Sequence, residues 1–140
     1  MSNTSNELSE KVIGMDLEHK FRLVDAGITT TEELAKRAST RECRKKLSEE
    51  LEVDESEILE WMNRIDLMRV EGIDPYIADL LEESGVDTVV ELSGRTPENL
   101  HKKLCEVVDE MPFIVDEKPS LEQVKSWIEN AGNLERLIEY

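Results

Sequence analysis

The chain repeats itself, and this constrains its fold more than any single motif does. With an offset of 58, Gly14, Asp16, Leu23, Gly27, Thr30, Glu33, Leu34 and Arg37 recur as Gly72, Asp74, Leu81, Gly85, Thr88, Glu91, Leu92 and Arg95. Turn glycines, helix caps and a core leucine falling together at one offset mark an internal duplication. After a one-residue slip, Lys45-Lys46-Leu47 answers Lys102-Lys103-Leu104. Further on the offset becomes 66, and Asp54, Glu57, Ile58 and Trp61 match Ser120, Gln123, Val124 and Trp127. The extra residues of the second copy fall in 111–119, MPFIVDEKP. This apolar loop is bounded by prolines and is expected to fold over the core.

The clearest local reading comes from 67–92, LMRVEGIDPYIADLLEESGVDTVVEL. Gly72 supplies the permissive backbone of a sharp turn. Asp74-Pro75 is a helix start, an N-cap carboxylate followed by proline at the first helical position. Ile77, Leu80, Leu81 and Ser84 follow at the spacing of one buried helical face. Gly85 ends that helix, and Val86 is placed to pack back onto it. Capping boxes are expected at Thr30/Glu33, Asp54/Glu57, Thr88/Glu91 and Ser120/Gln123. Each copy thus reads as hairpin helix, short helix, longer helix and tryptophan-bearing helix. No stretch has the period-two alternation of a strand. Trp61 and Trp127, at equivalent positions, are expected in the core.

This pattern resembles the helix-hairpin-helix motif, in which an apolar-x-Gly-apolar-Gly turn joins two short antiparallel helices. Gly14 and Asp16 mark the first hairpin; Gly72, Ile73 and Asp74 mark the second, with Asp74 standing where the second hairpin glycine usually is. The first copy departs further, because His19 and Arg22 replace the apolar Ile77 and Leu80. The segments GIDPYIADLLEESGVDTVVEL, RTPENLHKKL and PSLEQVKSWI are also similar to a family of uncharacterised microbial proteins built from such hairpins. That resemblance covers 65–131 best, implies the fold, and carries no activity with it. The expected architecture is therefore all-α: a tandem helix-hairpin-helix repeat of two pseudo-two-fold related copies sharing a connecting helix. A polar tail at 1–6 precedes copies at 7–66 and 67–140, which form one compact unit.

Chemistry is sparse. The only histidines, His19 and His101, lie in no metal spacing, and Cys43 and Cys105 are not paired by any metal or redox motif. No phosphate-binding loop or Gly-x-Ser-x-Gly is present. No catalytic residue, metal ligand or cofactor is assigned, and the chain is read as non-enzymatic. Two unpaired cysteines and the lack of a long apolar run or a leader at 1–10 point to a reduced, cytoplasmic protein away from membranes.

Partners must then be inferred from charge. The net charge of −16, from 33 acids against 17 bases, suits an unidentified protein partner and opposes nucleic acid. In helix-hairpin-helix proteins the turn's backbone amides grip a phosphate. Asp16 and Asp74 would occupy those amides and repel the anion. Against this stands KRASTRECRKK, 36–46, with the bases Lys36, Arg37, Arg41, Arg44, Lys45 and Lys46, and Lys102 and Lys103 in the second copy; Arg37, Arg41, Arg44 and Lys45 fall broadly on one side of a helix. These residues are candidates for a phosphate backbone or an acidic partner. The first expectation is a protein-interaction or scaffolding adaptor, and the alternative is weak, sequence-independent DNA or RNA binding.

Overall fold

The computed structural model describes Val12 and residues 15–139. Gly14 and the expected first helix at 7–13, apart from Val12, lie outside the described residues. Among these are eight α-helices and no β-strand: α1 Leu17–Asp25, α2 Thr31–Ala38, α3 Arg41–Leu51, α4 Glu55–Leu67, α5 Pro75–Glu83, α6 Val89–Ser93, α7 Pro97–Glu110 and α8 Leu121–Gly132. The chain divides into two compact units, the first holding the described residues through Ile65 together with 136–139, the second Asp66–Glu135. The boundary falls inside α4. Residues 136–139 belong to the first unit. Ile138 is buried there, and Glu139 N donates to Ser39 O at 2.8 Å.

The helix ends are set by local chemistry. In α2, Glu33 N donates to Thr30 Oγ1 while Glu33 Oε1 accepts from Thr30 N, a complete capping box. Bonds from the Thr30 hydroxyl, then from the Thr29 hydroxyl and amide, hold the Glu33 carboxyl below its ordinary value. Ser120 and Gln123 make the same reciprocal pair at α8. Thr88 accepts from Glu91 N at 3.0 Å to start α6. α1 and α5 close alike: Ile28 N reaches Leu23 O and Val86 N reaches Leu81 O, each at 2.8 Å. Gly27 and Gly85 sit between at φ +80° and +90°, which completes a Schellman stop in both helices.

Packing follows the periodicity. In the first unit α2 lies on α3, burying Leu34, Ala38, Leu47 and Leu51, with Ile58, Trp61 and Met62 contributed by α4. In the second unit α5 packs on α7, and α6 and α7 pack on α8. Leu80, Leu81, Leu92, Leu100, Leu104 and Val124 are fully enclosed in that core. Each such side chain contributes about 1.5–3 kcal/mol through burial, enough for helices as short as α6 to hold within the unit.

The polar replacements in the first copy have structural work. Arg22 Nη1 donates to Leu51 O at 2.8 Å and Glu52 O at 2.9 Å. It therefore satisfies carbonyls at the end of α3, where Glu52 adopts a left-handed φ of 57°.

Candidate functional site

The turn between α4 and α5 is built around Gly72. Its φ of +91° lies in the region that favours glycine, and a Cβ added there would stand 3.0 Å from Trp127 Nε1. The turn and α8 meet at that point, so backbone conformation and packing account for the glycine without a ligand. Beside it Ile73 N donates to Val70 O, and at the start of α5 Ile77 N donates to Asp74 Oδ1 at 2.8 Å and Ala78 N to Asp74 O. Asp16 differs from the expectation for the first hairpin. It holds the N-cap position of α1 but makes no side-chain capping bond. It lines a polar cleft of about 240 Å³ with Met15, His19, Glu57 and Trp61. There His19 Nδ1 lies 3.2 Å from Glu57 Oε2, and its ring meets the Trp61 indole edge-on at 5.6 Å.

The basic run of 36–46 separates into two groups. Arg44, expected to face a partner, is only 4% exposed, and its guanidinium donates to Ala38 O at 2.9 Å and to Glu139 O. Its periodicity placed it with the other bases, but α3 turns this position inward. Arg37 pairs with Glu50, and Lys46 approaches Glu42 at 3.9 Å. Lys36, Arg41 and Lys45 on α2 and α3, and Lys102 and Lys103 on α7, are exposed. Lys36, Arg37, Lys46 and Glu50 line a shallow pocket with Cys43 and Leu47, so its charge is mixed.

The loop 111–119 only half follows its expectation. Ile114 is buried and Val115 packs against the second core, but Phe113 is 100% exposed and Met111 also faces solvent. Phe113 lines a groove of about 610 Å³ with Ile114, Val115, and Tyr76 and Ile77 at the start of α5. Tyr76 is 57% exposed. Asp74, Asp116 and Glu117 complete the lining, and no base contributes to it. The loop is anchored at both ends. Ile114 N donates to Met111 O, and His101 Nε2 lies 3.0 Å from Pro119 O, which as an acceptor requires the proton on that nitrogen. His101 is thus a half-buried brace. Lys118 is drawn 2.6 Å from Asp109, whose hydrogen bond keeps its ammonium above the ordinary range. The sequence singled out the loop but missed Tyr76, since one exposed aromatic on a helix start carries no periodic signal.

A second apolar surface lies on α1, where Leu17, Phe21 and Val24 are exposed at helical spacing. Charges around it are of both signs, from Glu18, Lys20, Arg22 and Asp25.

Asp66 is the buried carboxylate of the second unit. Desolvation raises its pKa above 3.8, against the opposing pull of Arg69, 3.0 Å away, and a bond from the Val89 amide. The folded state therefore binds this proton more tightly than the unfolded chain. Its contribution to stability should fall as pH rises from 3.8 through the raised value. In thermal unfolding across that range, the stability of the native chain relative to Asp66→Asn, which keeps an acceptor for both partners, should fall as pH rises. A difference that stays constant with pH would assign the dependence to other groups.

Among the described residues, no three side chains of metal-binding type come together, and no helix is long and apolar enough to cross a membrane. Over the described residues the class defined by these features is an all-α protein with exposed apolar surfaces. Residues 14–134 match the family described as a domain of unknown function (DUF4332), and the chain belongs to that family. Neither a curated protein nor a solved structure matches it.

Proposed function

We propose that the chain is a non-enzymatic tandem helix-hairpin-helix module that acts as a protein-interaction adaptor. The supporting observation is the second hairpin, where Asp74 Oδ1 already accepts the Ile77 amide that a phosphate would need. A carboxylate at that helix start also repels an incoming anion. The repeated Gly-x-Asp sequence and the recurring order of helices favour the tandem reading. Exposed apolar side chains on α1 and around Phe113 suit contact with protein.

Nucleic-acid binding remains the second reading because Lys36, Arg41 and Lys45 are exposed on neighbouring helices. The adaptor reading expects no anisotropy change when the chain is titrated into labelled random-sequence duplex or single strands at low ionic strength. It also expects nuclease treatment to leave protein capture from native cytosol unaltered. Duplex binding with a log–log salt slope of about −0.9 per phosphate contact would overturn it. The alternative would be established if Arg41→Glu with Lys45→Glu abolished that binding and Asp74→Gly, which frees the Ile77 amide, strengthened it.

A further inference from the structure

We infer that the groove between the start of α5 and the loop 111–119 is a docking site for a basic peptide segment of a partner protein. In that segment an apolar side chain would be flanked by arginine or lysine. The inference rests on the adaptor reading and names the surface and the ligand chemistry.

Three observations lead to it. The floor is apolar and anchored: Ile114 is buried in the second core, and Ile77 and Val115 pack partly against it. The walls are aromatic and held out from that core, with Phe113 wholly exposed and Tyr76 more than half exposed. Leaving a phenylalanine ring in water forgoes one of the larger burial gains available to a side chain. The loop nevertheless holds it there while burying Ile114 beside it. The rim is of one sign, since Asp74, Asp116 and Glu117 are its only charged residues. The adjacent base, Lys118, is turned away to Asp109.

This combination selects the occupant. An apolar side chain would enter between Tyr76 and Phe113, and flanking cations would meet the three carboxylates. Arginine would have the further option of stacking on either ring. Nucleic acid and acidic phospholipid share the sign of the rim and are disfavoured by it. The loop's bracing by Ile114, the His101–Pro119 contact and the Lys118–Asp109 pair means that little ordering is left to occur on binding.

The test is selection of a phage-displayed random dodecapeptide library on the immobilised full chain. Fluorescence anisotropy of the most enriched peptide would follow. Enriched sequences should carry an aromatic or leucine side chain between basic residues. Affinity should fall roughly tenfold or more in Phe113→Asp and again in Asp116→Lys, with circular dichroism unchanged because both side chains are exposed. Raising the salt should weaken binding to the native chain more than to Asp116→Lys. Enriched peptides that are acidic, or that bind both variants as well as the native chain, would overturn the groove while leaving the adaptor reading intact. The groove would also fall if no peptide were enriched, or if Phe113→Asp abolished binding to vesicles containing phosphatidylserine. A chain that enriched no peptide and bound duplex DNA would overturn the groove and the adaptor reading together.

Discussion

Replacing Trp127 with alanine should lower stability by about 3–5 kcal/mol, the range for large aromatic residues removed from a core. The indole is 3% exposed and lies among the side chains of the second core, against the Gly72 turn. Alanine would leave a cavity on α8 and withdraw the surface on which that turn rests. Urea denaturation should show a lower midpoint with an unchanged slope, the signature of lost stability rather than altered compactness. A loss below about 1 kcal/mol would mean that the neighbouring side chains collapse into the space, against the packing described.

Arg44 should matter almost as much, for a different reason. Substitution by methionine preserves much of the buried volume but removes the donors to Ala38 O and Glu139 O. Hydrogen bonds from a charged group contribute about 1.5–3 kcal/mol each, so a loss of at least about 3 kcal/mol is expected. Arg41→Met, three residues away on the exposed side of α3, should stay within about 0.5 kcal/mol of the native chain. Equal effects at the two positions would refute the structural role given to Arg44. The contrast also decides which bases can serve as probes of nucleic-acid binding: a charge reversal at Arg44 would damage the first unit itself.

The two expectations differed in how well the sequence revealed them. Trp127 was legible because the repeat placed it opposite Trp61, and both are buried, at 3% and 5% exposure. The caps at Thr30, Asp74, Thr88 and Ser120 were legible from local spacing, since their partners lie within one helical turn. Arg44 was not. Its carbonyl acceptor at Glu139 is 95 residues away in the chain, and nothing in a basic run distinguishes the base that turns inward. The approach of Trp127 to Gly72 was hidden likewise, because each residue had a sufficient local explanation. Phe113 defeated the expectation for its loop because apolar composition predicts how much of a segment will be buried. It does not say which side chain will be left outside. The bond that holds the loop, from His101 to Pro119, joins residues whose spacing fits no short-range motif.

The placement of the indoles gives the chain a pair of built-in optical probes. Trp61 belongs to the first unit and Trp127 to the second, and their surroundings differ in a way that emission can read. The imidazole of His19 lies 5.6 Å from Trp61, edge-on to that indole. Trp127 instead has its ring nitrogen beside the backbone of Gly72. In Trp127→Phe the remaining emission should change when His19→Gln takes away the ring that meets the indole edge-on. In Trp61→Phe the emission should instead follow the state of the Gly72 turn. Two single-tryptophan chains would thus report the melting of each half of the molecule in its own colour and intensity, with no dye attached.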